Sequence, residues 1–96
     1  MLNFMDHKAG MDKLLSIMEH LRSDKGCPWD RKQTMESLKP FLIEETYEVL
    51  EAIESGDKGR VSEELGDLLL QLVFLSQIGR EEKAFSFGDV VQSINE

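Results

Sequence analysis

The sequence predicts an all-α fold, an antiparallel helical bundle completed by oligomerisation, and three observations carry that expectation. Apolar residues recur at spacings of three and four, no segment alternates like a half-buried strand, and glycine or proline falls between the periodic stretches. A chain of 96 residues holds one domain at most and buries a smaller fraction of its surface than a longer one, so a partner subunit is expected to complete the core.

Residues 1–10 read as an N-terminal tail and residues 11–96 as a single helical domain. The segment from Met1 to Gly10 carries Asp6, His7 and Lys8 and lacks the apolar stretch and small-residue cleavage site of a signal peptide. Leu14, Leu15, Ile17, Met18 and Leu21 predict an amphipathic helix from Met11 to about Ser23. Asp24 to Asp30, which holds Gly26 and Pro28, predicts a loop; Thr34 suits the N-cap of a short turn, and Pro40 marks a joint. Leu42, Val49, Leu50 and Ile53 then predict a second helix from Phe41 to about Ser55, closed by Gly56 in a left-handed conformation.

A third helix is expected from about Arg60 to Glu82. Its Leu69, Leu70, Val73 and Phe74 point in nearly all directions, so it should be buried on several sides, which packing against another subunit in a homodimer or tetramer achieves most simply. Ser86 caps a final helix from about Phe87 to Asn95, with Val90, Val91 and Ile94 on one face.

Composition narrows the function. Nineteen acidic residues against 11 basic ones give a formal charge of -8, which repels a nucleic-acid backbone. The one cysteine, Cys27, cannot close an intrachain disulfide, and a reducing cytoplasm fits. The most apolar stretch, Leu68 to Ile78, is interrupted by Gln71 and Gln77 and falls well short of the roughly 20 residues that a bilayer requires, so no membrane association is expected.

Chemistry is concentrated in two acidic pairs. Glu45 and Glu48 lie at i, i+3 on the second helix, Glu64 and Asp67 at i, i+3 on the third, so each pair lies on one helix face within reach of a single ion. At about 100° per residue, Glu45 borders the arc of Leu42, Val49 and Ile53, and Glu64 lies beside Val61, Leu68 and Leu75. The short connection from Ser55 to Gly59 makes the helices antiparallel neighbours, so the pairs should meet across the seam. Four carboxylates crowded there repel one another and lose solvation unless a cation joins them. All-oxygen ligands select hard ions, so magnesium is expected, with manganese as a substitute. Taken one at a time these acids read as solvated surface residues, as Glu51, Glu54, Glu81 and Glu82 do; their joint placement beside apolar residues argues otherwise.

The run Gly26-Cys27-Pro28-Trp29-Asp30, then Gln33-Thr34, the Glu44 to Glu48 cluster, Glu64 to Asp67 and the segment Phe85 to Val91 resemble the signature of the MazG nucleoside triphosphate pyrophosphohydrolases, in order and spacing, across about Leu14 to Ile94. The resemblance implies a MazG-like helical enzyme that hydrolyses nucleoside or deoxynucleoside triphosphates to the monophosphate and pyrophosphate, in nucleotide-pool house-cleaning. It places Glu45, Glu48, Glu64 and Asp67 at metal-ligand positions and makes Glu44 a catalytic candidate, orienting or deprotonating water or tuning the metal from outside its ligand set. The cation would neutralise charge on the leaving pyrophosphate and acidify a water attacking the α-phosphorus. Trp29 suits stacking on a nucleobase or anchoring its own loop, and Lys32 and Arg60 are phosphate-binding candidates, Arg60 also being placed for an ion pair with Glu64 at i, i+4. The resemblance also implies a basic phosphate-binding segment beyond the position of Glu96. Two other readings stand beside this one: a non-catalytic helical metal-binding or oligomerisation module, and a pyrophosphohydrolase of narrower substrate such as phosphoribosyl-ATP or a deoxypyrimidine triphosphate.

Overall fold

A computed structural model describes residues 7–95, with helices α1 (His7–Leu21), α2 (Pro28–Lys32), α3 (Met35–Ser55), α4 (Lys58–Glu81) and α5 (Phe87–Asn95). No strand occurs among the described residues. The chain divides into two compact units, one ending at Lys32 and one beginning at Gln33.

In the first unit α1 begins at His7, so the last four residues of the expected tail are helical, while residues 1–6 of that tail lie outside the described residues. Beyond α1 the chain turns tightly, the Cys27 amide donating to the Leu21 carbonyl at 2.9 Å. Gly26 is required at this turn because a Cβ there would collide with the backbone carbonyls of His20 and Leu21. The expected loop is partly helical: Pro28 opens α2 at a position where a missing N–H costs nothing. The Arg22 guanidinium donates to the Asp30 carbonyl at 2.6 Å and Arg31 to the Asp24 carbonyl at 3.1 Å, so both cations hold this turn together.

The second unit is built on the α3–α4 hairpin. Thr34 caps a long helix, α3, rather than a short turn: its hydroxyl accepts from the Ser37 amide at 3.1 Å, while the Ser37 hydroxyl accepts from the Thr34 amide at 2.8 Å. Pro40, expected as a joint, lies inside α3. Its ring removes one intrahelical hydrogen bond near the exposed start of the helix, and the capping box together with the 1% exposed Leu38 keeps that first turn in place. Gly56, at φ 76°, ends α3 in the left-handed region, and Asp57 caps α4 by accepting from the Arg60 amide at 3.2 Å, so α4 returns alongside α3.

Leu38, Val49, Ala52, Val73, Phe74 and Ile78 form the buried core of this unit. Leu50 and Ile53, expected on the buried arc, are 49% and 58% exposed; the inward positions of α3 are Val49 and Ala52, and the arc is rotated from the expected one. A Schellman turn closes α4, with the Ala84 amide donating to the Gly79 carbonyl at 2.9 Å, the Lys83 amide to the Arg80 carbonyl at 3.0 Å, and Lys83 left-handed at φ 58°. α5 then packs back on α4, capped by Ser86 and Asp89 bonding reciprocally.

Candidate metal centre

The hairpin brings acids from two helices together. One carboxylate oxygen each from Glu45 on α3 and Glu64 and Asp67 on α4 lies within 4.8 Å of the others. Glu45 and Glu64 are half-buried at the seam and Asp67 is exposed, which leaves the cluster open to solvent on one side. Magnesium holds its ligand oxygens at about 2.1 Å, so oxygens around one ion lie roughly 3 to 4.2 Å apart, and small side-chain rotations bring this trio into that range. The donor set is all oxygen and anionic, as a hard divalent cation requires.

Electrostatics define the same group. The Glu45 carboxyl is pushed above the ordinary glutamate range, first by burial and then by the negative charges of Asp67, Glu64, Glu44 and Glu48. Glu64 is pushed up as well, by burial and then by Glu48 and Asp67, with Arg60 acting in the opposite direction. Glu48 therefore belongs to the cluster electrostatically, although its carboxylate is not among the converged three. Instead its Oε2 lies 3.9 Å from the Arg60 guanidinium, which also approaches Glu51 at 3.6 Å. These pairs cross from α4 to α3, whereas spacing along α4 offers Arg60 only the i, i+4 pair with Glu64. Glu44 is exposed on α3 and acts on Glu45 as a neighbouring like charge. Trp29 and Lys32 lie in the first unit on α2, both exposed.

Sequence reasoning passed over Gln71. It lies one turn beyond Asp67 on α4, and its amide oxygen is buried with no hydrogen-bond partner among the described residues. The signal available was its spacing, four residues from Asp67 and seven from Glu64, which keeps all three on one helix face.

The comparisons with known proteins bear on this hairpin directly. Residues 33–96, which contain both acidic pairs, match the family model of the MazG nucleotide pyrophosphohydrolase domain. The chain belongs to this family. Relatives agree: the nucleoside triphosphate pyrophosphohydrolase/pyrophosphatase MazG of Thermotoga maritima is 59% identical over 85 residues, 88% of this chain and 33% of its own length. The nucleoside triphosphate pyrophosphohydrolase of Escherichia coli K12 is 47% identical over 87 residues, 90% of this chain and 33% of its own. An uncharacterized protein, YabN of Bacillus subtilis, is 52% identical over 81 residues, 84% of this chain and 17% of its own. This chain thus spans a third or less of the length of these relatives. The all-α hairpin is the fold expected from the MazG resemblance, and no helix among the described residues is long and apolar enough to cross a membrane.

Proposed function

We propose that this MazG domain hydrolyses nucleoside and deoxynucleoside triphosphates between the α- and β-phosphorus, releasing the monophosphate and pyrophosphate and so clearing non-standard nucleotides from the cytoplasmic pool. The observation that carries the reading is the convergence of Glu45, Glu64 and Asp67 across the α3–α4 seam. Family membership and the pyrophosphohydrolase names of two relatives support it.

Glu45, Glu48, Glu64 and Asp67 would hold magnesium, with manganese able to replace it. Bound there, the cation supplies charge neutralisation on the phosphate oxygens and a lowered pKa for the attacking water. Glu44, beside Glu45 on the outer side of α3, orients that water. Arg60 exchanges Glu48 and Glu51 for phosphate oxygens, a change favoured once a cation occupies the acids. On the first unit, the exposed Trp29 and Lys32 are the residues whose chemistry suits a nucleotide, an indole face for a base, a mode tolerant of base identity, and an ammonium for a phosphate. Homo-oligomerisation is supported by the apolar side chains left on the surface of α3, where Ile43, Tyr47, Leu50 and Ile53 are each about half exposed.

The test is pyrophosphate release over a nucleotide panel with magnesium, for the parent and for Glu48→Gln and Asp67→Asn. Equimolar monophosphate and pyrophosphate from the parent, lost in both variants, is expected. A parent that binds magnesium yet releases no pyrophosphate would make the domain a non-catalytic metal-binding module, and variants that match the parent would remove the acids from the mechanism.

A further inference from the structure

Gln71 stands out in the second unit because its amide oxygen is buried and lacks a hydrogen-bond donor among the described residues. Buried acceptors are rarely left unpaired, and each exception calls for a donor that arrives from elsewhere. Ser76, the buried polar side chain of the core among the described residues, is satisfied by donating to the Leu72 carbonyl at 2.7 Å. Gln71 is not satisfied in that way, and its position is specific: on α4 it follows Asp67 by four residues and Glu64 by seven, so helix geometry places the three in one row, on the side of α4 that carries two of the converged acids. An amide oxygen carries no net charge, so it adds no full negative charge to a cluster in which Asp67 and Glu64 already raise the proton affinity of Glu45.

A small hard cation keeps several water molecules when only a few carboxylates hold it, and those waters are strong hydrogen-bond donors. We infer that Gln71 is a positioning residue of the metal centre, its amide oxygen accepting a hydrogen bond from the hydration shell of the cation held by Glu45, Glu64 and Asp67. The inference rests on the metal-site reading above and extends it by a residue outside the acidic motifs. In that role Gln71 would orient water at the α4 side of the site and so influence where phosphate oxygens approach.

The experiment is titration of the parent, Gln71→Met, Gln71→Glu and Asp67→Asn with Mn2+ alone, with thermal melts and oligomeric mass recorded for the metal-free proteins. Methionine preserves length and volume while deleting the acceptor, so Gln71→Met is expected to weaken Mn2+ binding about 10-fold without lowering the melting temperature of the metal-free protein. Glutamate keeps an oxygen in place and should retain tight binding. Mn2+ affinity in Gln71→Met within about two-fold of the parent would overturn the inference and leave the metal site standing. A changed oligomeric mass with unchanged affinity would overturn it in favour of a contact between copies. If Asp67→Asn binds Mn2+ as well as the parent, the metal-site reading itself fails and this inference with it.

Discussion

Replacing Glu45 by Gln should have opposite effects with and without metal, because the residue is at once a ligand candidate and a destabilised anion. Without a cation, its carboxylate is half-buried against Asp67, Glu64, Glu44 and Glu48, so Glu45→Gln removes the most crowded charge of the cluster and should raise the melting temperature of the metal-free protein at neutral pH. With magnesium, the variant loses one of three converged oxygens and one negative charge, and metal affinity should fall about 100-fold, the upper end of what even residues outside the ligand set contribute. Magnesium at 100 times the parent's Kd adds about 2.7 kcal/mol of stability, and a 100-fold weaker variant gains only about 0.4 kcal/mol. For a helical unit of this size each kcal/mol moves Tm by roughly 4 to 8 °C, so the parent should gain about 10 to 20 °C and the variant about 2 to 3 °C. Differential scanning fluorimetry in chelator and in magnesium reads both numbers. Equal magnesium shifts in parent and variant would exclude Glu45 as a ligand, and a metal-free variant less stable than the parent would show that its charge is not destabilising.

The same crowding fixes a pH dependence. Because Glu45 and Glu64 titrate above the ordinary 4.5, the folded metal-free protein holds more protons than the unfolded chain in the interval above that value. Their contribution to stability is therefore greatest below 4.5 and is lost as pH rises through the raised values; urea denaturation of the parent against Glu45→Gln should show the steeper decline in the parent, and identical slopes would contradict it. Gly79→Ala should destabilise by about 1–3 kcal/mol, since a Cβ there would drive into the Phe85 ring, and a melting temperature within error of the parent would show that the α4–α5 turn yields. Thr34→Ala should cost about 1 kcal/mol by opening the capping box with Ser37, measured by chemical denaturation; no loss would mean that α3 does not depend on its cap.

What the sequence disclosed about the site depended on short-range geometry. Two i, i+3 acidic pairs joined by a short connection sufficed to bring Glu45, Glu64 and Asp67 together, because a two-residue turn at Gly56 and Asp57 leaves α4 no path except back along α3. Helix ends with strong local chemistry, Gly56 and Ser86, were legible for the same reason. Pro40 misled because the rule that proline breaks a helix weakens near the N-terminus, where a cap and the buried Leu38 offset one lost hydrogen bond. The ion pairs of Arg60 with Glu48 and Glu51 cross between helices, and their register depends on where α4 meets α3, which spacing along one helix does not determine. Gln71 was hidden for a related reason: a glutamine in a leucine-rich helix carries no signal until burial shows its oxygen without a donor.

Whether acids from α3 and α4 converge on one cation is decided by anomalous diffraction from crystals grown with Mn2+. A single strong anomalous peak about 2.1–2.2 Å from carboxylate oxygens of Glu45, Glu64 and Asp67 is expected. Manganese bound elsewhere, with these three carboxylates bare, would contradict it.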